Sequence, residues 1–364
     1  MMHGAAKQGG NRVLMGLVMG DPAGIGAEII AKVLSDATLS EDMQIVVLGS
    51  QRVLVDAGRL CRLPVDLPVL PLTGLTREKI TSLTGHVMIE TGTDGVLGTI
   101  KPGHASAAGG AFALDNFRIG IDLANRGICD ALSFAPFNKY AMRLAYPPYQ
   151  DEIVFISEVL GEHDAAAEFN IGDIWTGRVT SHVPLSKVAG LITREAVVRR
   201  LVLTEKIMRA GGVAEPRIAV AGLNPHAGDG GNFGREEIDV IGPAVAEGRR
   251  LGIHCDGPYP PDTVFIRAKR GEFNAVLTMY HDQGQIAMKL MHFDRGVVLF
   301  GGFPFPVCTP AHGTAYDIAG KGTAHPGAMR ATLALAASLA LGNMQARQSY
   351  AHNPDATVTG EAMR

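Results

Sequence analysis

Short apolar runs alternate with longer amphipathic stretches along this chain. Three stretches show the three-to-four-residue spacing of helices, at 105–127, 193–212 and 329–341. Five runs are continuously apolar, as buried strands are: VLMGLVMG (13–20), MQIVVLG (43–49), RIAVAGL (217–223), NAVLTMY (274–280) and GVVLFGG (296–302). Strands that alternate with helices predict an α/β fold, a doubly wound α/β/α arrangement with helices on both faces of a sheet.

Length and composition allow a large core. The chain has 364 residues, of which 46% are hydrophobic, enough for two lobes. We expect one discontinuous lobe at 12–130 plus 275–342 and a second at 131–274. Residues 1–11 and 345–364 lack a hydrophobic period and are predicted to be frayed termini.

Charge and cysteine usage exclude several classes of partner. The net charge is −3 and no basic block is present, so nothing predicts nucleic-acid binding. No run approaches the 18 apolar residues of a membrane span, and no signal peptide is visible. The cysteines form no CxxC pair, which favours reduced thiols in a cytoplasmic protein over a cysteine metal site.

Three histidines follow predicted strands. His182 lies in TSHVPL, His226 in GLNPHAGDGG and His281 in MYHDQG. Because the carboxyl ends of parallel strands bind ligands in α/β sheets, these imidazoles are candidates for a three-nitrogen metal face with an open position for substrate. Three unrelated loop histidines are the alternative.

Other loops carry candidate groups. GDPAGIG (20–26) precedes a helix and suits either an anion site or a plain turn capped by Asp21. Asp282 adjoins His281 and is placed to orient an imidazole, and Lys289 follows eight residues after that histidine. The Gly-rich segment 312–329 has the composition to wrap an adenosine, or it is an ordinary long loop.

These motifs together resemble the 4-hydroxythreonine-4-phosphate dehydrogenase family. GDPAGIGAE, GLNPHAG, the GP-P-DT loop, YHDQG and HGTA-DIAG-G occur in the family's order across about residues 12–342. The resemblance implies an isocitrate/isopropylmalate dehydrogenase-like fold with the active site in the cleft between two lobes and at a homodimer interface. The 12–130 plus 275–342 lobe would bind the cofactor, and 131–274 the substrate and the second subunit.

The resemblance also assigns residues and cofactors. It implies NAD and a divalent metal, with Zn expected first because imidazoles suit Zn, Co, Ni or Mn better than Mg. The implied metal ligands are His182, His226 and His281. Implied catalytic residues are Lys289, Asp262 and Asp282, and Lys289 also binds substrate. Implied cofactor-binding residues are Asn224, Gly228, His312, Gly313, Asp317 and Gly320.

The implied reaction oxidises a 3-hydroxy acid and decarboxylates the β-keto acid that results. A divalent metal would lower the pKa of the substrate hydroxyl, favour hydride loss to NAD and polarise the new carbonyl so that the carboxylate leaves as carbon dioxide. No arginine cluster for a 2′-phosphate is visible, so NAD is expected rather than NADP.

The chain departs from the family at its substrate pocket. YQDE (149–152) replaces a GHTE motif and puts Gln150 and Asp151 at substrate-binding positions. A substrate-binding Asn and Arg appear as Val298 and Val307. The apolar valine together with the anionic Asp151 would weaken phosphate binding by about 2–4 kcal/mol for a buried contact.

Two alternatives to a phosphorylated substrate therefore stay open. An apolar pocket around Val298, Val307, Phe303 and Phe305 would suit a terephthalate-type cis-dihydrodiol carboxylate dehydrogenase of aromatic catabolism, which also decarboxylates. A non-catalytic NAD- or metal-binding regulator is the other alternative, against which the complete histidine set and Lys289 argue.

Overall fold

The structure is a computed structural model that describes residues 12–36, 39, 42–161, 166–292 and 295–352. The predicted frayed ends at 1–11 and 353–364 lie outside these residues. The last helix, which ends at His352, extends into the second segment that we predict to be frayed, 345–364.

All twelve strands of this described part belong to one sheet. They are β1 Val13–Val18, β2 Met43–Gly49, β3 Val69–Pro71, β4 Val87–Glu90, β5 Ala131–Phe134, β6 Ala167–Ile171, β7 Trp175–Arg178, β8 Ile218–Ala221, β9 Cys255–Tyr259, β10 Ala275–Thr278, β11 Val297–Gly301 and β12 Val307–Pro310.

Helices connect most of these strands. They are α1 Gly26–Leu34, α2 Gln51–Cys61, α3 Arg77–Thr81, α4 Ala107–Asn125, α5 Lys139–Ala145, α6 Glu152–Leu160, α7 Leu185–Leu191, α8 Arg194–Ala210, α9 Gly242–Arg250, α10 Val264–Lys269, α11 His281–His292 and α12 Gly327–His352. None of the described helices is long and apolar enough to span a membrane.

Local sequence explains where several of these helices begin. Ser106 accepts a hydrogen bond from the backbone N–H of Gly109 at the start of α4, and Thr193 accepts one from Ala196 at the start of α8. Asp151 caps α6 in the same way through Val154. The helices predicted at 105–127 and 193–212 are therefore confirmed to within two residues.

The sheet contains both parallel and antiparallel strand pairs. The strand order is β3-β4-β2-β1-β5-β12-β11-β6-β7-β10-β8-β9. The first six strands are mutually parallel, and so are the last four, but β11 and β6 pair antiparallel with their neighbours. The two parallel blocks consequently run in opposite directions. Strand β5 belongs to the first block because it pairs parallel with β1, and β10 belongs to the second because it pairs parallel with β7 and β8.

Packing differs between the two faces of the sheet. One face carries a continuous core that includes Met15, Phe169 and Leu277 from both blocks. The other face carries two separate cores, one around Phe117 over the first block and one around Val276 over the second. A cavity lies between these two cores, above the central strands. Burial on both faces confirms the three-layer arrangement.

Candidate functional site

The three predicted histidines follow three neighbouring strands. His182, His281 and His226 come after β7, β10 and β8, which lie side by side and parallel. Gln283 ties two of these segments together, because it accepts a hydrogen bond from Met279 N and donates one to Gly222 O. His182 and His226 have left-handed backbones, with φ of 50° and 54°. Such strain in non-glycine residues is most often found at functional sites.

Each of two histidines is held by a carboxylate. His182 Nδ1 lies 3.1 Å from Asp151 Oδ2, and His281 Nδ1 lies 2.7 Å from Asp282 Oδ1. The two imidazole rings are 5.5 Å apart. The bond to Asp151 raises the pKa of His182 although burial opposes it. Burial would raise the pKa of Asp151, but its bonds from His182 and Val154 outweigh this and lower it. With Nδ1 engaged, Nε2 of each ring is the free ligand atom.

His226 lies apart from this pair. It begins a run of left-handed residues that extends to Gly230. The buried carboxylate of Glu237 supports this loop by accepting hydrogen bonds from Leu223 N and Asn224 N, each at 2.7 Å. Within the described chain, no three His, Cys, Asp or Glu side chains are grouped so as to hold a metal.

A cavity of about 350 Å³ lies beside His182. One residue or more from each predicted site lines it: His182, Lys289, Val298, His312 and Gly313. Helix α11 contributes Gln285, Met288 and Lys289, which follow His281 by four, seven and eight residues, the spacing of one helix face. The cavity thus joins the predicted metal edge to the predicted cofactor loop.

A second cavity of about 590 Å³ adjoins that loop. His312 and Gly313 line both cavities, and Ile25, Ala315, Ile318, Ala324, His325 and Ala328 line only the second.

Helix α1 fixes this loop. Glu28 Oε1 accepts a hydrogen bond from Gly320 N, and Lys32 Nζ donates to the carbonyls of Gly322 and Ala324.

The GDPAGIG loop is tied to the same segment. The buried carboxylate of Asp21 accepts hydrogen bonds from Ala23 N at 2.8 Å and from the Tyr316 hydroxyl at 2.6 Å. Burial raises the pKa of Asp21 although both bonds oppose it. Asp21 therefore shapes the loop rather than capping α1, whose N-cap is Ile25.

Several predicted residues lie elsewhere. Gln150 and Asp262 are exposed and do not line the main cavity. Val307 is fully buried in the core and does not line it either. The Asn224 amide donates to Glu236 at 2.7 Å and Glu237 at 3.0 Å, so it supports the loop. Gly228 is buried against Glu237, while Asp317 is exposed.

The predicted apolar pocket does not form as one unit. Phe303 and Phe305 line a separate cavity of about 110 Å³, whereas Val298 lines the main one.

Sequence reasoning missed the polar groups of β6. Glu168 and Asn170 both line the main cavity. Glu168 accepts a hydrogen bond from the buried Arg178 at 2.7 Å, and its other oxygen lies 4.0 Å from His182 Nε2. The alternation of AEFNI, with two polar residues on one face and three apolar residues on the other, was the available signal.

Comparison with known proteins decides the family. The profile described as "Pyridoxal phosphate biosynthetic protein PdxA" matches residues 41–336. The chain belongs to this family. A relative from Rhizobium meliloti (strain 1021), provisionally named 4-hydroxythreonine-4-phosphate dehydrogenase 2, is 48% identical over 90% of this chain and 94% of its own.

Further relatives agree. A protein of Symbiobacterium thermophilum, provisionally named D-threonate 4-phosphate dehydrogenase, is 36% identical over 86% of this chain and 92% of its own. The crystal structure of 4-hydroxythreonine-4-phosphate dehydrogenase from Klebsiella pneumoniae has a TM-score of 0.74 at 32% identity, covering 90% of this chain and 99% of that one. Family membership makes the chain an NAD-linked, metal-dependent dehydrogenase that acts on a CH–OH group with oxidative decarboxylation.

Proposed function

We propose that this chain oxidises and decarboxylates a 3-hydroxy acid 4-phosphate of the 4-hydroxythreonine 4-phosphate type. The observation that carries the proposal is the single cavity lined by His182, Lys289 and His312. A proposed metal ligand, a cation able to bind phosphate and the proposed cofactor loop surround one volume large enough for a small acid. The names of the relatives, which specify phosphorylated substrates, support it.

NAD would extend from this cavity along the cofactor loop. His312 and Gly313 separate the two cavities, so a dinucleotide that passes them reaches both the substrate and the adjoining apolar volume. Asp317 and Gly320 lie on the same loop. Glu28 fixes the loop backbone by accepting a hydrogen bond from Gly320 N. We assign the nicotinamide end to the cavity beside His182 and the adenosine end to the second cavity.

The metal ligands proposed are His182, His226 and His281, with Zn as the ion. The donor chemistry fits, since Asp151 and Asp282 orient two imidazoles whose Nε2 atoms remain available. The separation of His226 from this pair means that one chain alone does not assemble the set among its described residues.

A homodimer would complete the metal site. Exposed apolar side chains follow each of the three histidines, namely Val183, Leu185, Phe233, Ile238, Ile286 and Leu290. Apolar groups around a polar site are typical of a protein interface. We propose that a second copy covers this face and that each site takes His226 from one subunit and the His182–His281 pair from the other, with the cleft between the two lobes open to both.

Mixing variants tests the shared site. His226→Ala and His281→Ala homodimers should both be inactive, and each should bind less metal. Co-refolded heterodimers should regain one intact site and therefore measurable turnover. Leu290→Glu should shift the sedimentation of the dimer toward the monomer, whereas Leu60→Glu, at an exposed position on α2, should not. Absence of complementation in confirmed heterodimers would contradict sites built from both chains.

The substrate is tested by NADH formation. Metal-loaded enzyme should reduce NAD with 4-hydroxythreonine 4-phosphate or D-threonate 4-phosphate and release carbon dioxide, and metal-stripped enzyme should not. Turnover of an unphosphorylated cis-dihydrodiol carboxylate, with none of either phosphate, would overturn the proposal. The structure favours the phosphorylated substrate, because the apolar pocket expected for the dihydrodiol is divided between two cavities.

A further inference from the structure

Strands β6 and β7 carry four polar side chains on one face of the sheet. This polar strip consists of Glu168, Asn170, Thr176 and Arg178, and in the register of the two strands Asn170 lies opposite Thr176. The residues between them, Ala167, Phe169 and Ile171, belong to the continuous core on the opposite face. A covered sheet face is normally apolar, so a polar strip here needs a partner.

Part of the strip satisfies itself. Arg178 is only 4% exposed and donates to Glu168 at 2.7 Å, so the buried cation has an anionic partner. Burial nevertheless lowers the pKa of Arg178, and its second terminal nitrogen has no hydrogen-bond partner in the described structure. The ion pair fixes the Glu168 carboxylate at the cavity wall.

Asn170 is different because nothing in the described chain satisfies its amide. The residue is 6% exposed, lines the cavity, and its side chain makes no hydrogen bond to any described residue. Buried polar groups in native proteins almost always have partners. Because the residue as a whole is buried but its amide atoms are not fully enclosed, the unpaired amide opens to the cavity and is placed to bind a ligand.

The register gives this amide a specific position. Asn170 lies directly opposite Val298 across the β6–β11 pair, and both line the cavity. The apolar side chain of Val298 supplies no hydrogen-bonding group to the cavity at its own position. Asn170 supplies an amide from the neighbouring strand instead, at the same level of the sheet.

The neighbouring charge indicates what the amide binds. Glu168 lies two residues along the same strand and on the same face. A carboxylate there disfavours a second anionic group and favours hydroxyl or amino substituents. The phosphate would bind at Lys289 on α11, which also lines the cavity.

We infer that Asn170 is a substrate-binding residue whose amide hydrogen-bonds a hydroxyl or amino substituent on the carbon chain of the hydroxy acid. The inference rests on the proposed function and adds a specificity-determining residue to it. The substrate then bridges Asn170 and Lys289.

Steady-state kinetics of Asn170→Leu tests this. We expect the KM for the phosphorylated hydroxy acid to rise about tenfold, with the KM for NAD unchanged. The inhibition constant of inorganic phosphate should also stay unchanged, because phosphate lacks the substituent that Asn170 binds. The melting temperature should not fall, because the variant removes an unpaired buried group.

Thr176→Val is the matched control. Thr176 is 3% exposed and its hydroxyl is also unpaired, but it does not line the cavity. Its loss should leave the KM unchanged. Adding Val298→Asn to Asn170→Leu should recover part of the lost affinity by returning an amide to the opposite wall.

Failure of the proposed function and failure of the inference about Asn170 give different results. A wild-type enzyme that turns over neither phosphorylated acid removes the proposed function and the inference with it. An active wild type with an unchanged KM in Asn170→Leu overturns the inference alone. So does a raised KM that is accompanied by a lower melting temperature and is not recovered by Val298→Asn, since that pattern indicates a structural role.

Discussion

Asp151 uses its two carboxylate oxygens for different tasks. Oδ1 accepts the backbone N–H of Val154 and so caps α6, while Oδ2 lies 3.1 Å from Nδ1 of His182, 31 residues further along the chain. The same side chain therefore fixes a helix end and the orientation of a proposed metal ligand. At 19% exposure it is far better shielded than Asp282, which is 70% exposed beside His281.

Asp151→Asn should separate these two tasks. An asparagine still caps the helix, so the free energy of unfolding should change little, but its contact with His182 is no longer charge-assisted. We expect metal affinity to fall about 10- to 100-fold in a competition titration with a chromogenic chelator. Asp282→Asn should weaken affinity less, because its carboxylate is mostly exposed. Equal affinities in wild type and Asp151→Asn would refute the orienting role.

Val307→Arg should destabilise the protein rather than restore phosphate binding. The fully buried Val307 packs among apolar side chains, and an unpaired buried charge typically costs about 3–5 kcal/mol. Urea unfolding measures the loss. Val298→Arg is the control, since this half-buried residue lines the cavity and a cation there reaches solvent. A Val307→Arg variant as stable as wild type would show that the position opens toward the ligand.

Lys289→Gln tests the phosphate contact. The lysine lines the cavity, and loss of a charge-assisted bond should raise the KM for the phosphorylated substrate about tenfold. The inhibition constant of inorganic phosphate should rise in parallel. Lys269→Gln, at an exposed lysine that ends α10 outside the cavity, should change neither constant. If both lysine variants behave alike, Lys289 acts only through the general field of the protein.

Asp21→Asn should alter how stability depends on pH. Because burial raises the pKa of Asp21 in the folded chain, the native state holds this proton to a higher pH than the unfolded state does. The stability that the group contributes is complete below its ordinary pKa of 3.8 and is lost as pH rises through the raised value.

The measured quantity is the free energy of unfolding of wild type minus that of Asp21→Asn. This difference should fall as pH rises from about 3 to about 7, because wild type loses stability over that range. Tyr316→Phe, which removes only the hydroxyl donor, should enlarge this trend because it removes a bond that favours the carboxylate. A difference independent of pH would mean that Asp21 titrates normally.

Much of the site was predictable because its signals are local. His226 and His281 each follow an apolar run that forms a strand, and Ser106, Thr193 and Asp151 are ordinary helix caps. The cofactor loop was predicted from the sequence motifs that the chain shares with the family. The strands that precede the three histidines lie side by side, because β10 pairs parallel with both β7 and β8.

The sequence by itself determined the alternation of strands and helices, the caps and the candidate histidines, since periodicity and turn chemistry depend on residues a few positions apart. The tertiary structure decided which residues of neighbouring strands lie opposite one another. The antiparallel pairing of β11 with β6 placed Asn170 opposite Val298, and the parallel pairing of β12 with β5 placed Val307 beside Leu132 in the core. Such contacts join residues more than a hundred positions apart, and only the packing of the whole sheet selects among the registers that the local pattern permits.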